Sequence, residues 1–202
     1  FLYCPGSTGK DELAKIVQSF VGIPQTAINL EAGISTAKAS IREFAQFRNG
    51  ISQLSEYKGG YPQIDGMIKS LWDRRGYKRG NIETHVGTDS IPIEASAILT
   101  GNDYPREEPV ILRTVWNEMD KSTFSEEEMK TFDKLKDIVA EGLSGYSDEF
   151  MASRAEFEID FDKLQRKWKG ILKERWPLAA GRIVGNISVL TTTYEIFANK
   201  VN

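Results

Sequence analysis

The opening thirteen residues, Phe1-Leu-Tyr-Cys-Pro-Gly-Ser-Thr-Gly-Lys-Asp-Glu-Leu13, constrain the fold more than any other stretch. A short apolar run enters a turn of Gly, Ser and Thr that closes on Gly9-Lys10. Leu13, Ile16, Val17, Phe20 and Val21 then recur at i, i+3, i+4, i+7 and i+8, which predicts an amphipathic helix. Strand, Gly-rich turn, Lys and helix together aim backbone N–H groups and the positive end of a helix at one point, beside a Lys ammonium. Nucleotide phosphates suit such a point. The expected cradle is Pro5, Gly6, Ser7, Thr8 and Gly9, with Lys10 and Asp11. Two positions depart from the pattern G-x-x-x-x-G-K-[ST]. Cys4 stands for the first Gly, and Asp11 stands where a hydroxyl would hold Mg²⁺. The plain alternative is a strand-to-helix turn without a ligand.

The 202 residues are 40% hydrophobic and 27% charged, with net charge −3, an ordinary composition for a globular chain. No run approaches eighteen apolar residues, so no membrane-spanning helix is expected, and no signal-peptide pattern is present. The single cysteine excludes an internal disulfide. A cytoplasmic location is the default expectation. The chain opens within what reads as a strand and closes in the apolar Tyr194-Glu-Ile-Phe-Ala198, as expected of a fragment from a longer polypeptide.

Along the chain, short strands are expected at 27–30, 51–56, 95–100 and 110–116, with helices at about 35–47 and 62–72. Asn49-Gly50 reads as a turn. The basic stretch 73–80 reads as a turn, the tip or base of a hairpin with 81–86. Beyond about 125 the pattern becomes helical. Ser125-Glu-Glu-Glu128 is a capping box, with Phe124 and Met129 spaced for a hydrophobic staple. A further helix carries Phe157, Phe161, Leu164, Trp168, Ile171, Leu172 and Trp176 and stops at Pro177. Its two tryptophans read as core. A last helix spans about 178–199. The expected layout is an α/β three-layer sandwich over 1–122, followed by an α-helical lid over 123–202.

Hydrolysis requires more than a cradle. An acid at a strand end must position water and metal, and a polar sensor commonly stands on a neighbouring strand. Glu56 ends the run Ile51-Ser-Gln-Leu-Ser-Glu56, and the preceding residue, where Asp would meet Mg²⁺, is Ser55. Asp11 and Ser55 together read as an exchange of carboxylate and hydroxyl around one Mg²⁺, both being oxygen donors for a hard cation. The alternative for Asp11 is a helix-dipole partner in a first turn. Asn102, just after the strongest strand, is the candidate sensor; Gly-Asn-Asp is otherwise turn chemistry.

Four blocks in order, Tyr3-Cys-Pro-Gly-Ser-Thr-Gly-Lys10, Leu54-Ser-Glu-Tyr57, Arg74-Arg-Gly-Tyr-Lys-Arg79 and Ala97-Ile-Leu-Thr-Gly-Asn102, resemble the AAA+ ATPases. The likeness is to the superfamily 3-like or MCM-like replicative helicase modules of phages, plasmids and other mobile elements, over about residues 1–120. It implies an ATP- and Mg²⁺-dependent helicase that assembles into a ring, a hexamer by expectation, on single- or double-stranded DNA. By that resemblance Lys10 binds phosphate, Glu56 acts on water, Asn102 is the sensor, and Arg113 is the arginine finger, with Arg106 second. Arg74, Arg75, Lys78 and Arg79 would lie on a hairpin facing nucleic acid. A solvated basic turn and a structural arginine are the plain alternatives. Other P-loop motors or loaders, and a nucleotide switch that does not hydrolyse, are the rival functions. His85, the only histidine, and Cys4 read as structural.

Overall fold

Parallel strands need crossovers long enough to hold a helix, and the spacing of apolar runs in this chain supplies them. The computed structural model describes residues 1–3, 9–31, 36–80, 88–119, 124–152 and 154–201. In order these form β1 (Leu2–Tyr3), α1 (Lys10–Ser19), β2 (Ile28–Asn29), α2 (Ala37–Phe44), β3 (Arg48–Tyr57) and α3 (Pro62–Trp72). There follow β4 (Arg75–Gly80), β5 (Thr88–Pro92), β6 (Glu94–Gly101), α4 (Glu108–Ile111) and β7 (Asn117–Glu118). Four helices complete the chain: α5 (Glu126–Glu141), α6 (Ser144–Ala152), α7 (Arg154–Arg175) and α8 (Gly181–Val201).

The main sheet has five strands in the order β2-β3-β6-β1-β7, and every pairing in it is parallel. Strand side chains alternate between faces, and here the alternation divides two layers of helix. Leu54 and Leu99 join Ile41, Phe44 and Met67 of α2 and α3 in one apolar cluster. Gln53 and Thr100, next along each strand, face α1 instead. The chain is therefore α/β, a parallel sheet with helices on both faces, compatible with a Rossmann-like or P-loop sandwich. It leaves β1 towards the β2 edge and returns on the other side with β7. In open sheets of this kind, ligands sit beyond the carboxyl ends of the strands where the winding changes direction.

Three local expectations need correction. Residues 110–116 are not a strand: α4 and a turn occupy most of them, and only Asn117–Glu118 pair with β1. Pro109 sits in the first turn of α4, where no N–H is required, and Val110 is fully buried as its anchor. A short apolar run does not by itself separate strand from helix. Asn49-Gly50 is not a turn between elements but part of β3. Asn49 takes a left-handed φ of 52°, and the register with β6 shifts between Arg48 and Ile51. The partner of β4 is β5, a few residues later than 81–86, which lie outside the described residues.

In the helical half, α6 is an element the sequence pattern does not announce, and Phe20, which caps the end of α1, meets its Tyr146 with ring centroids 6.3 Å apart. Trp176 is 46% exposed rather than core. Trp168 is half-buried and donates its indole N–H to Glu195 of α8. The Asn186 amide of α8 reaches the carbonyl of Leu112 at 3.2 Å. No helix among the described residues is long and apolar enough to cross a membrane.

The capping box of α5 forms as expected. The Glu128 N–H donates to the Ser125 hydroxyl at 3.2 Å, and the Ser125 N–H donates to the Glu128 carboxylate at 2.7 Å. The Ser125 backbone bond, then its hydroxyl, holds the Glu128 pKa below the usual carboxylate value. Ser125→Ala is expected to destabilise the chain by about 1 kcal/mol in thermal unfolding at neutral pH. Because the folded pKa is depressed, the Glu128 contribution is complete above the unfolded carboxylate pKa and fades as pH falls through the folded one. The deficit of the variant should therefore shrink in acid.

Candidate phosphate-binding site

Helix α1 begins directly after Gly9, which has φ 79° and ψ 13°, and among the described residues no side chain caps its first N–H groups. A helix start of this kind leaves donors for an anion. The Pro5, Gly6, Ser7 and Thr8 part of the expected cradle, with Cys4, lies outside the described residues, as does His85.

Lys10 does not point into bulk water. Only 8% exposed, its ammonium donates to Oδ1 of Asn102 at 2.6 Å. The adjacency of β1 and β6 makes that bond possible, since Tyr3 stands opposite Gly101, one residue before Asn102. Two candidates 92 residues apart thus meet at one point.

On the far side of β6 is the end of β3. Leu54 pairs with Leu99 and Tyr57 with Gly101, so β3 carries one more residue than β6 over this step. That is a bulge, a device that re-aims a side chain. Glu56 occupies it at φ 59°, in the left-handed region that non-glycine residues seldom adopt. What holds it there is the packing on either side. Tyr57 is fully buried, and its hydroxyl donates to the Asp65 carboxylate on α3 at 2.6 Å. Burial first, then that bond, pushes the Tyr57 pKa upward. A Cβ on Gly101 would lie 2.5 Å from the Tyr57 carbonyl, so glycine permits the close approach of the strands. Beyond them, the Gly59 N–H donates to Asp103 at 3.1 Å, joining the two loops that follow β3 and β6.

Asp11 and Ser55 are not joined by a hydrogen bond among the described residues. Asp11 instead meets Gln53 and Thr100: the Gln53 amide donates to its Oδ1 at 2.6 Å and the Thr100 hydroxyl at 3.1 Å. Ser55 stands two residues beyond Gln53 on β3. Among the described residues no three His, Cys, Asp or Glu side chains gather to hold an ion. One carboxylate such as Asp11 is a fitting donor for Mg²⁺, which takes one or two from protein when phosphates and water supply the rest.

Arg113 is turned inward. Its side chain is 11% exposed, it donates to the Pro109 carbonyl at 2.9 Å, and it stands 3.9 Å from Asp73 at the end of α3. Arg106 is largely exposed, 4.0 Å from Asp103. Arg75, Lys78 and Arg79 lie on β4 of the β4–β5 hairpin, which is inserted between β3 and β6. Arg74 precedes it with φ 53°, and the described side chains, Arg74, Arg75 and Lys78, are exposed.

Sequence reasoning missed the Gln53–Thr100 pair and the Tyr57–Asp65 pair. The available signal was a glutamine lying between Ile51 and Leu54 in a run expected to form a strand, where a buried polar residue calls for a partner. It also missed a groove of about 1300 Å³ that opens beside Gly9, lined by Leu13, Met119, Phe124, Met129 and Phe132. The two residues of the expected staple both face it.

No family model matches this chain, and no curated protein matches it.

Proposed function

We propose that this chain is the ATP-binding core of a nucleic-acid motor, a ring-forming DNA helicase of the kind that its sequence resembles. The observation that carries this reading is the meeting of Lys10 with Asn102 where the sheet changes winding, with the bulged Glu56 one strand away. Phosphates would sit on the N-terminal donors of α1, drawing the Lys10 ammonium to their outer oxygens. Asn102 is placed to report their presence, because a phosphate would compete with it for Lys10. Glu56 is the base for an attacking water. Mg²⁺, when bound, would neutralise phosphate charge, with Asp11 the residue to hold it. The apolar groove beside Gly9 is fit for a flat base. The basic hairpin, entering between the acid strand and the sensor strand, supports a nucleic-acid track.

The test is calorimetric titration of ATP, with and without Mg²⁺, into this chain and its Lys10→Ala variant. A charged hydrogen bond contributes about 1.5–3 kcal/mol, so the variant is expected to bind ten- to a hundredfold more weakly. No binding by folded wild-type chain would reject the reading. For the motor itself, single-stranded DNA is expected to stimulate ATP turnover. Replacing Arg74, Arg75, Lys78 and Arg79 together by Ala should remove the stimulation and spare the basal rate. Equal stimulation in both would sink the assignment of the hairpin.

A further inference from the structure

We propose that Gln53 and Thr100 are positioning residues that fix Asp11 as a one-oxygen ligand for a divalent cation; this rests on the nucleotide reading of the same site. Both side chains are closed off from solvent, Gln53 at 2% and Thr100 at 1% exposure, on adjacent central strands. Both donate to the same atom, Asp11 Oδ1, at 2.6 and 3.1 Å, and the Gln53 amide also lies 3.2 Å from the Thr100 hydroxyl. Asp11 Oδ2 has no hydrogen-bond partner among the described residues. A carboxylate accepts at both oxygens, so this arrangement uses one and leaves the other.

The donors are neutral, and that decides the chemistry. An amide and a hydroxyl orient a carboxylate without cancelling its charge, whereas Lys or Arg in their place would compete with a cation. Lys10, the adjacent residue in sequence, is engaged with Asn102 instead. Asp11 therefore accepts from no basic side chain in these contacts, in the first turn of α1 beside the expected phosphates. Without a cation it would repel them; with one it becomes a strong ligand. The same clamp explains how a carboxylate serves where the cradle pattern has a hydroxyl: a long, rotatable acid is given one fixed direction. Partners that orient metal ligands in this way typically change metal affinity ten- to a hundredfold when removed.

Four proteins decide the matter: wild type, Gln53→Met, Thr100→Val and Asp11→Asn, each checked for folding by circular dichroism and melting. Calorimetry measures ATP binding in EDTA and in Mg²⁺, and electron paramagnetic resonance measures Mn²⁺ with and without ATP. The expected result is unchanged ATP affinity in EDTA for Gln53→Met and Thr100→Val. The Mg²⁺ increment and the Mn²⁺ affinity should fall ten- to a hundredfold. Loss of affinity in EDTA and in Mg²⁺ alike would make the pair merely structural and overturn the proposal. So would a Mg²⁺ increment that none of the variants changes, or a wild type that binds ATP without one. If wild type binds no ATP yet holds Mn²⁺ through Asp11 and Gln53, the clamp stands and the nucleotide reading falls. If it binds neither, both fall. Thr100→Val keeps shape and volume, and so decides the question should Gln53→Met not fold.

Discussion

Glu56→Gln is expected to lower ATP turnover by about 10²–10⁴-fold, the usual contribution of a positioned general base, while Mg²⁺–ATP affinity changes little. The amide keeps the size of the side chain and removes its basicity. The expectation rests on backbone geometry as much as on chemistry. A residue with a side chain at φ 59° is strained, and strain of this kind, of order 1–3 kcal/mol, persists only where the surroundings impose it. Tyr57, buried and bonded to Asp65, imposes it from one side, and the close approach of Gly101 does so from the other. Steady-state phosphate release beside calorimetry checks the prediction. An unchanged rate with retained binding would remove Glu56 from the mechanism. A wild type that binds ATP and releases it intact would favour the nucleotide switch over the motor.

The second large effect is on stability. Tyr57→Phe should destabilise the fold by about 3 kcal/mol in denaturant unfolding, because it leaves the Asp65 carboxylate, 1% exposed, without its buried donor. Replacing both partners by apolar residues, Tyr57→Phe with Asp65→Leu, should recover much of that loss, since the cost lies in the orphaned group rather than in the bond. A double variant less stable than the sum of the single changes would show that the pair is worth more than its mutual satisfaction. The same bond braces the strand end that presents Glu56, so Tyr57→Phe is also expected to blunt turnover. A loss of stability with the rate intact would separate the brace from the site.

Much of the architecture was legible in the chain. The periodicity after Lys10 gave α1, Pro62 placed the start of α3, and Ser125 with Glu128 gave the capped start of α5. These are local signals: spacing, a residue lacking an N–H, and a reciprocal pair three residues apart. Residues 110–116 were misread because Val, Ile, Leu and Trp suit a buried strand and a buried helical turn equally. Only the burial of Val110 within a short helical turn separates the two. Trp176 shares the apolar helical spacing yet is exposed, because spacing gives a face but not what lies against it.

The candidate site divides in the same way. The sequence alone determined the alternation of strand and helix, the glycine-rich entry to a helix, and the chemical types of Lys10, Asp11, Glu56 and Asn102, since each is written in a few contiguous residues. The order β2-β3-β6-β1-β7 brought Lys10 to Asn102 and Asp11 to Gln53 and Thr100, and it turned Arg113 inward to Asp73. Those pairings span 40 to 92 residues. No local pattern encodes them, because which strands lie side by side is settled by burying apolar faces across the whole sheet.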